Sequence, residues 1–454
     1  MQVTMSTTPS LDQLADALLA AARAAGADAA DAMAVSGRAL SIAMRGGRLE
    51  EAERAEGTEI GLRVLVGRRQ ACVSASDTRP PTIAALAERA VAMAREAPED
   101  PHAGLAAPEQ IGVGCDPEAL ELADPAPEPA PDALQEAARE AEAAALAVAG
   151  VTQVQSAGAG WSQRRVHMAA SNGFRGAVTR TENTLYCTAI AGQGTAMQRD
   201  SDGDSRIFRA DLRDAREIGR SAGERAAAML GAGKPPTGAF PVLYDERVAG
   251  SLIAHLLAAA NGAAVARGAS WLRHRLGEQV LPETLDLIED PHRPRAAASR
   301  AFDAEGLPTR PRALIARGVL TGWLLDLASA RQLGCAPTAN ARRGPSSPPH
   351  PAAWNVALTE GAQSRAELLR EMGTGLLVTS LIGSTINPNT GDYSRGASGF
   401  WVEKGEITRP VQECTIAGSL PEMLRRITPA NDARPWLSRV VPSLLVEGLT
   451  LAGE

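Results

Sequence analysis

Residues 391–407, GDYSRGASGFWVEKGEI, decide the fold of the C-terminal half of this chain. Apolar residues over 399–404 are typical of a strand, and Gly391, Gly396 and Gly399 predict a tight turn with close backbone approach before it. Asp392 and Arg395 would then lie in that turn. They either line a cleft or a partner interface, or belong to a turn that is only structural.

Similar short apolar segments recur on both sides of this one, and one long helical pattern precedes them over 246–265. The other predicted strands cover 240–244, 313–316, 319–325, 375–380, 406–410, 413–417 and 444–451. Many short strands at such spacing favour a largely antiparallel sheet or a barrel-like domain. Because the Gly- and Pro-rich segment 231–238 precedes them, we predict a β-rich C-terminal domain over 237–454.

The first half of the chain contains one pattern twice. A helix, a short β-meander and a second helix occupy 10–25, 41–76 and 81–97, and the same order follows over 133–149, 151–200 and 210–230. Ser10 with Gln13 predicts a capping box at the first helix, and Asp132 with Gln135 predicts the cap of the helix over 133–149. The strands predicted in the first meander are short and cover 41–45, 59–66 and 70–76. The proline-rich stretch 122–131 separates the two copies and is typical of a stiff linker. We therefore predict an α+β protein with domains 1–121 and 132–232, related by duplication, before the C-terminal domain.

Composition excludes several classes of protein. The net charge is −7 over 454 residues, and acidic and basic residues are interspersed, which argues against a nucleic-acid binder. No run of 18 apolar residues indicates a membrane span, and no Lys or Arg precedes the first apolar stretch. The five cysteines are scattered and form no CxxC pair. We expect a cytoplasmic protein that binds neither membrane nor nucleic acid.

Several blocks besides 391–407 carry a resemblance to a known family. They are SIAMRGGRLEEAERAEGTEIGLRVLVGRRQACVSASD (41–77), APEDPHAGLA (97–106), FDAEGLPTRPRALIARGVLTGWLLDLASARQLG (302–334), EMGTGLLVTSLIG (371–383) and ECTIAGSLPEML (413–424). In this order the chain resembles the TldD/PmbA family, also called modulators of DNA gyrase. The resemblance implies a heteromeric zinc peptidase whose TldD-type subunit carries an HExxxH helix and a third ligand, a cysteine, near the C-terminus.

The corresponding helix of this chain, VAGSLIAHLLAAANG over 248–262, departs from that motif. Gly250 stands at the first His position, Ser251 at the Glu position, and only His255 matches the second His. No cysteine follows Cys414. Three protein ligands hold a catalytic zinc, so one cannot. We therefore expect no metal site and no catalytic residue here, as in the TldE/PmbA branch, and zinc in the TldD-type partner.

Three residues remain as candidates for contact with substrate. His255 shares a predicted apolar helical face with Leu252 and Leu256, so it is either a retained contact or a partly buried structural histidine. Arg342 and Arg343 lie in the long loop 335–353. They either bind a carboxylate, such as a peptide C-terminus, through bidentate hydrogen bonds or lie in solvent.

A serine nucleophile is the other chemistry to consider. GxSxG occurs once, at 219–223, but inside the predicted helix 210–230 rather than at a strand-to-helix turn. We interpret it as a chance match. The glycine-rich segment 231–238 lacks the GxxxxGK[ST] spacing of a phosphate-binding loop.

The first functional hypothesis is a non-catalytic TldE/PmbA-type subunit that binds a TldD-type subunit, with peptides or unfolded chains as substrates. An open sheet edge would bind such chains through their backbone. The alternative is a protein that modulates DNA gyrase or another regulator without proteolysis. An autonomous metallopeptidase lacks ligands in this sequence. Whether the chain forms a homodimer when alone stays open.

Overall fold

The structure is a computed structural model that describes residues 9–453, apart from the side chain of Ser384. Residues 1–8, on which part of the argument against a leader rests, lie outside the described residues. Within residues 9–453, no helix is long and apolar enough to cross a membrane.

Two units of equal element order build the N-terminal half. The first comprises α1 (Leu11–Ala24), β1 (Ala29–Arg45), β2 (Arg48–Val66), β3 (Arg69–Ala75) and α2 (Pro80–Glu96). The second comprises α3 (Pro131–Leu146), β4 (Val151–Ala170), β5 (Arg175–Ala191), β6 (Gln198–Arg206) and α4 (Ala215–Ala228). The repeated order that the sequence predicts is therefore present.

The strands of both units form one six-stranded sheet with the order β3-β2-β1-β4-β5-β6. Antiparallel pairing of β1 with β4 joins the two halves at its centre. The predicted strands were too short, since β1 has 17 residues and β2 has 19. The N-terminal half of β2 is charged and exposed, so its pairing with β1 rather than its own composition makes it a strand.

All four helices cover one face of this sheet, the helical face. Alternate residues of β1 pack beneath them, Ala32 under the first helix pair and Leu40 under the second. The capping box of Ser10 and Gln13 begins α1 as predicted. However, α3 begins after Ala130 with Pro131 at its first position, so the predicted cap at Asp132 is wrong.

The GxSxG segment lies inside α4, where its glycines pack against α3. A Cβ atom at Gly219 would lie 1.9 Å from the carbonyl oxygen of Ala141, and one at Gly223 would lie 2.8 Å from Val148. This segment therefore serves a close helix–helix contact and does not form a nucleophile turn.

The C-terminal domain contains the remaining elements. They are β7 (Gly238–Tyr244), α5 (Glu246–Ala259), α6 (Gly262–Ala266), β8 (Leu287–Glu289), β9 (Arg312–Ala316), β10 (Val319–Leu320), α7 (Leu327–Leu333), β11 (Ala341–Arg342), β12 (His350–Pro351), β13 (Val356–Leu358), α8 (Arg365–Met372), β14 (Gly375–Ile386), β15 (Asp392–Glu403), β16 (Glu406–Ser419), α9 (Leu420–Leu424), β17 (Ile427–Pro429), β18 (Arg439–Val440) and β19 (Leu444–Ala452). Its large sheet has the order β16-β15-β14-β7-β19-β17, and a smaller sheet has the order β10-β9-β8-β13-β18. Most pairings are antiparallel, as predicted.

Two local expectations in this domain are corrected. Asp392 and Arg395 belong to β15 itself, and the turn before it covers 387–391, because β15 pairs with β14 from its first residues onward. Gly399 does provide the predicted close approach, since its Cβ atom would lie 1.9 Å from the Leu377 carbonyl oxygen. The long helix ends at Ala259, because the Asn261 side chain caps the separate helix α6.

The face of the N-terminal sheet opposite its helices, the back face, packs on the C-terminal domain. Asp31 and Arg63 pair across β1 and β2 on this face, with Nε of Arg63 2.5 Å from the Asp31 carboxylate. From the loop 335–353, the buried Arg343 side chain forms an ion pair with the same carboxylate. Glu305 borders the same small cavity. We call Asp31, Arg63, Arg343 and Glu305 the junction cluster.

Candidate functional site

Helix α5 carries the positions at which the family resemblance places a metal-binding motif. Leu252 and Leu256 are fully buried in the core of the C-terminal domain, which fixes the rotation of the helix. Gly250 and Ser251 consequently line a cleft of about 950 Å³, which we call the α5 cleft. Asp245 begins the helix by accepting a hydrogen bond from the Arg247 N–H.

His255 lies farther along α5 and is half-buried. Its ring meets that of Tyr393 edge to face, with 6.0 Å between the centroids. Its Nε2 atom is buried without a hydrogen-bond partner among the described residues. Burial, followed by the positive charges of Arg395 and Arg439, lowers the pKa of His255. The imidazole is therefore neutral at pH 7.

Arg395 and Arg439 are the two cations whose charges act on His255. Nε of Arg395, on β15, donates to the carbonyl oxygen of Gly383 at 2.7 Å. Arg439, on β18, donates to that of Gly250 at 3.5 Å, and its Cδ would lie 3.4 Å from a Cβ atom at Gly250. The Arg439 side chain thus covers the position from which a first histidine ligand would extend.

The acidic groups at this cleft are already paired. Asp202 binds Arg213 and Arg225, Asp200 binds Arg247, and Glu246 binds Arg434. In the part of the chain that the structure describes, neither Arg395 nor Arg439 forms an ion pair with a carboxylate. The α5 cleft therefore presents two uncompensated positive charges.

This environment does not fit a zinc ion. Residues 9–453 contain no group of three His, Cys, Asp or Glu side chains placed to hold a metal. Two guanidinium charges beside the remaining imidazole would also repel a dication. Cys414 is buried, its thiol donates to the Ala397 carbonyl oxygen, and burial raises its pKa to about 11, so it is no thiolate ligand. We derive no chemistry through a metal in this chain.

The α5 cleft also exposes part of a sheet edge. Strand β14 pairs with β7 only over 376–378, after which β7 turns into α5. From Thr379 onward, that edge of β14 pairs with no other described strand, and residues 379–381 line the cleft. Ile382, on the same strand, is 70% exposed. Such an edge can pair with an extended peptide through backbone hydrogen bonds.

The structure brings only some of the predicted site residues together. Gly250, Ser251 and Arg395 line the α5 cleft, and His255 lies near it. Asp392 is exposed at the start of β15, where its carboxylate accepts a hydrogen bond from Thr390.

The two arginines of the long loop lie elsewhere and differ from each other. Arg343 is buried on Asp31 in the junction cluster, whereas Arg342 is exposed in a second cleft, between the two domains. Sequence reasoning missed Arg439. It lies 189 residues from Gly250 along the chain, and no local pattern marks it.

Sequence profiles of three families match this chain in order. "PmbA/TldA metallopeptidase domain 1" matches residues 30–94, "PmbA/TldA metallopeptidase central domain" matches 124–230, and "PmbA/TldA metallopeptidase C-terminal domain" matches 237–453. The chain is 33% identical to Metalloprotease PmbA of Escherichia coli O157:H7 over 416 residues, covering 91% of this chain and 90% of that protein.

Two solved structures have the same fold. A putative modulator of DNA gyrase from Bacteroides thetaiotaomicron superposes with a TM-score of 0.90 at 26% identity, over 98% of this chain and 99% of that one. TldE from Thermococcus kodakarensis superposes with a TM-score of 0.84 at 21% identity, over 97% and 100% of the two chains. The second likeness concerns the fold alone.

Proposed function

Since this chain belongs to the PmbA/TldD family of metalloprotease-like proteins, we propose that it is the non-catalytic, TldE/PmbA-type subunit of a peptidase complex. In this proposal a TldD-type partner carries the zinc and the cutting chemistry. The substrates are peptides or unfolded chains, and both subunits are cytoplasmic.

One observation carries the proposal, namely the replacement of metal ligands along α5. Gly250 offers no side chain, Ser251 cannot act as the general base that a Glu would be, and Arg439 covers the first ligand position. A cleft against this helix that is lined by guanidinium groups supports a subunit of peptidase-like fold that holds no metal itself.

The open edge of β14 gives such a subunit a part in selecting substrates. Backbone pairing requires an extended chain and is indifferent to most side chains, so folded proteins would be excluded. Arg395 and Arg439 beside that edge would attract a carboxylate of the bound chain. We propose that this subunit presents unfolded segments to its partner.

The test combines metal content, assembly and activity. The chain is purified without chelator or histidine tag, its zinc is measured by mass spectrometry, and peptidase activity is assayed with and without a TldD-type subunit. We expect no bound zinc and no activity alone, and activity in the mixture together with a heteromer on size-exclusion chromatography. Near-stoichiometric zinc with activity of this chain alone would refute the proposal, and so would full activity of the partner without it.

The alternative function, modulation of DNA gyrase, rests on the name of a structural relative of this chain and predicts a different result. A stoichiometric modulator would change DNA supercoiling by gyrase with no TldD-type partner and no zinc present. A supercoiling assay with this chain alone separates the two functions.

A further inference from the structure

A second cleft, of about 830 Å³, lies between the back face of the N-terminal sheet and the C-terminal domain. Residues 117–125, which include the start of the proline-rich linker, close one side of it. Met33, Val166 and Met168 from β1 and β4 provide an apolar wall, and Phe302 faces them from the C-terminal domain. Its volume is within the range of ligand-binding clefts.

Five arginines line this cleft. Arg343 belongs to the junction cluster, and we call the other four the arginine row: Arg164, Arg180, Arg300 and Arg342. Arg164 and Arg180 are directly opposite each other on β4 and β5. Like charges in that position destabilise a sheet, so the pair contradicts the usual rule for cross-strand neighbours.

The structure holds the two inner members of the row in place. Arg180 donates to the carbonyl oxygens of Ala297, at 2.8 Å, and Ser299. The guanidinium carbon of Arg300 lies 3.4 Å from the centroid of the Trp354 ring. Burial and the neighbouring arginines lower the pKa of Arg300 to about 9 and that of Arg180 to about 10.

Within residues 9–453, the charges of Asp303 and Glu289 act on Arg300, but neither carboxylate forms an ion pair with it. None of the four members of the row forms an ion pair within the described residues, and the side chains of Arg164 and Arg342 make no hydrogen bond there either. Three acids line the cleft. Glu121 is paired with Arg295, the Asp303 carboxylate accepts three backbone N–H groups, and Glu118 is exposed on the linker side. In a chain of net charge −7, this cleft is thus lined by more guanidinium groups than carboxylates.

We propose that the arginine row is a binding site for an acidic peptide segment, whose carboxylates pair with the guanidinium groups while its apolar side chains contact the Met33 wall. A row spread over three strands and one loop fits several carboxylates along a chain better than one compact anion. The planar guanidinium fork matches each carboxylate in two hydrogen bonds. Binding would also relieve the repulsion between Arg164 and Arg180.

Fluorescence anisotropy on the full chain, without any partner subunit, tests the site. The probes are a labelled peptide that alternates Glu and Leu, and the same peptide with Gln in place of Glu. We expect only the acidic peptide to bind, and its affinity to fall as salt is added. Because the assay needs neither partner nor peptidase activity, its result is independent of the proposed function.

The decisive comparison is between two double variants of equal charge. R164Q/R342Q removes the two members of the row whose side chains make no hydrogen bond among the described residues. R165Q/R310Q removes two other exposed arginines without an ion pair, and Arg165 is adjacent to Arg164 on β4 but faces the opposite side of the sheet. We expect about tenfold weaker binding or more for the first variant and unchanged binding for the second.

Three outcomes would overturn the proposal. One is equal weakening in both variants, which indicates attraction by net charge alone. Another is equal binding of the Gln peptide. The third is tighter binding of inorganic tripolyphosphate than of the acidic peptide, which would assign the row to a phosphorylated ligand. Circular dichroism melts establish that each variant is folded.

Discussion

The junction cluster and the arginine row both lie where the back face of the N-terminal sheet meets the C-terminal domain, yet the arginines of one are paired with a carboxylate and those of the other are not. In the cluster, the Asp31 carboxylate is bound by two guanidinium groups, one from its own sheet and one from the C-terminal domain. In the row, none of the four guanidinium groups forms an ion pair with a carboxylate among the described residues. The paired charges of the cluster are buried and join the two domains, whereas the row includes the exposed Arg164 and Arg342 and forms the binding site that we propose.

The largest effect is expected at Asp31. Asp31→Ala would leave Arg63 and Arg343 buried without their counter-ion, and breaking a buried pair in this way costs about 3–5 kcal/mol. Urea denaturation measures it. Asp16→Ala removes an exposed ion pair with Arg175 and should cost about 0–1 kcal/mol. Equal losses in the two variants would contradict the structural role of the cluster.

A smaller loss is expected where the long loop meets β2. A Cβ atom at Gly61 would lie 2.2 Å from the Pro345 carbonyl oxygen, so Gly61→Ala forces the loop away and should cost about 1–3 kcal/mol. Gly57→Ala, in the same strand, has open space and should be neutral or slightly stabilising. Thermal melts of both variants measure the difference, and a neutral Gly61→Ala would show that this contact is loose.

The pH dependence of stability should report on Glu305. Burial, and then the Asp303 charge, raises the pKa of Glu305 to about 8. Between the ordinary carboxyl pKa and about 8, the folded state holds a proton that the unfolded state has released, so stability falls as pH rises through this window.

Glu305→Gln keeps an acceptor for the Leu327 N–H and removes the titration. We therefore expect the variant to gain melting temperature relative to the wild type between pH 5.5 and pH 8. The exposed Glu88→Gln is the control and should follow the wild type. A difference between wild type and Glu305→Gln that does not change with pH would contradict the prediction.

The smallest effect is a stabilisation, opposite in sign to the losses expected for Asp31→Ala and Gly61→Ala, and it tests the comparison most directly. Arg164→Gln relieves the repulsion with Arg180, so we expect a stabilisation of about 0.2–1 kcal/mol at low salt. Arg165→Gln should leave stability unchanged. Destabilisation by Arg164→Gln in urea denaturation would mean that the row is held by a structural contact and is not a site kept free.

Much of the fold follows from local signals in the sequence. The capping box at Ser10, the repeated helix–meander–helix order and the antiparallel C-terminal strands are all present. The joining of both meanders into one sheet was not predicted, because edge-to-edge pairing of β1 and β4 depends on residues more than 100 positions apart. The predicted strand lengths were wrong for the same reason, because pairing with β1 extends β2 through charged residues.

At the candidate site, the sequence by itself determined what is missing. The sequence alone shows Gly250 and Ser251 at the motif positions, because a metal-binding motif on a helix is a local pattern of side chains. Only the tertiary structure decided what takes its place and where charges meet: Arg439 over Gly250, Arg343 on Asp31, and Arg342 beside Arg300. These are contacts between distant parts of the chain, and their energies depend on burial and on neighbours that no spacing in the sequence encodes.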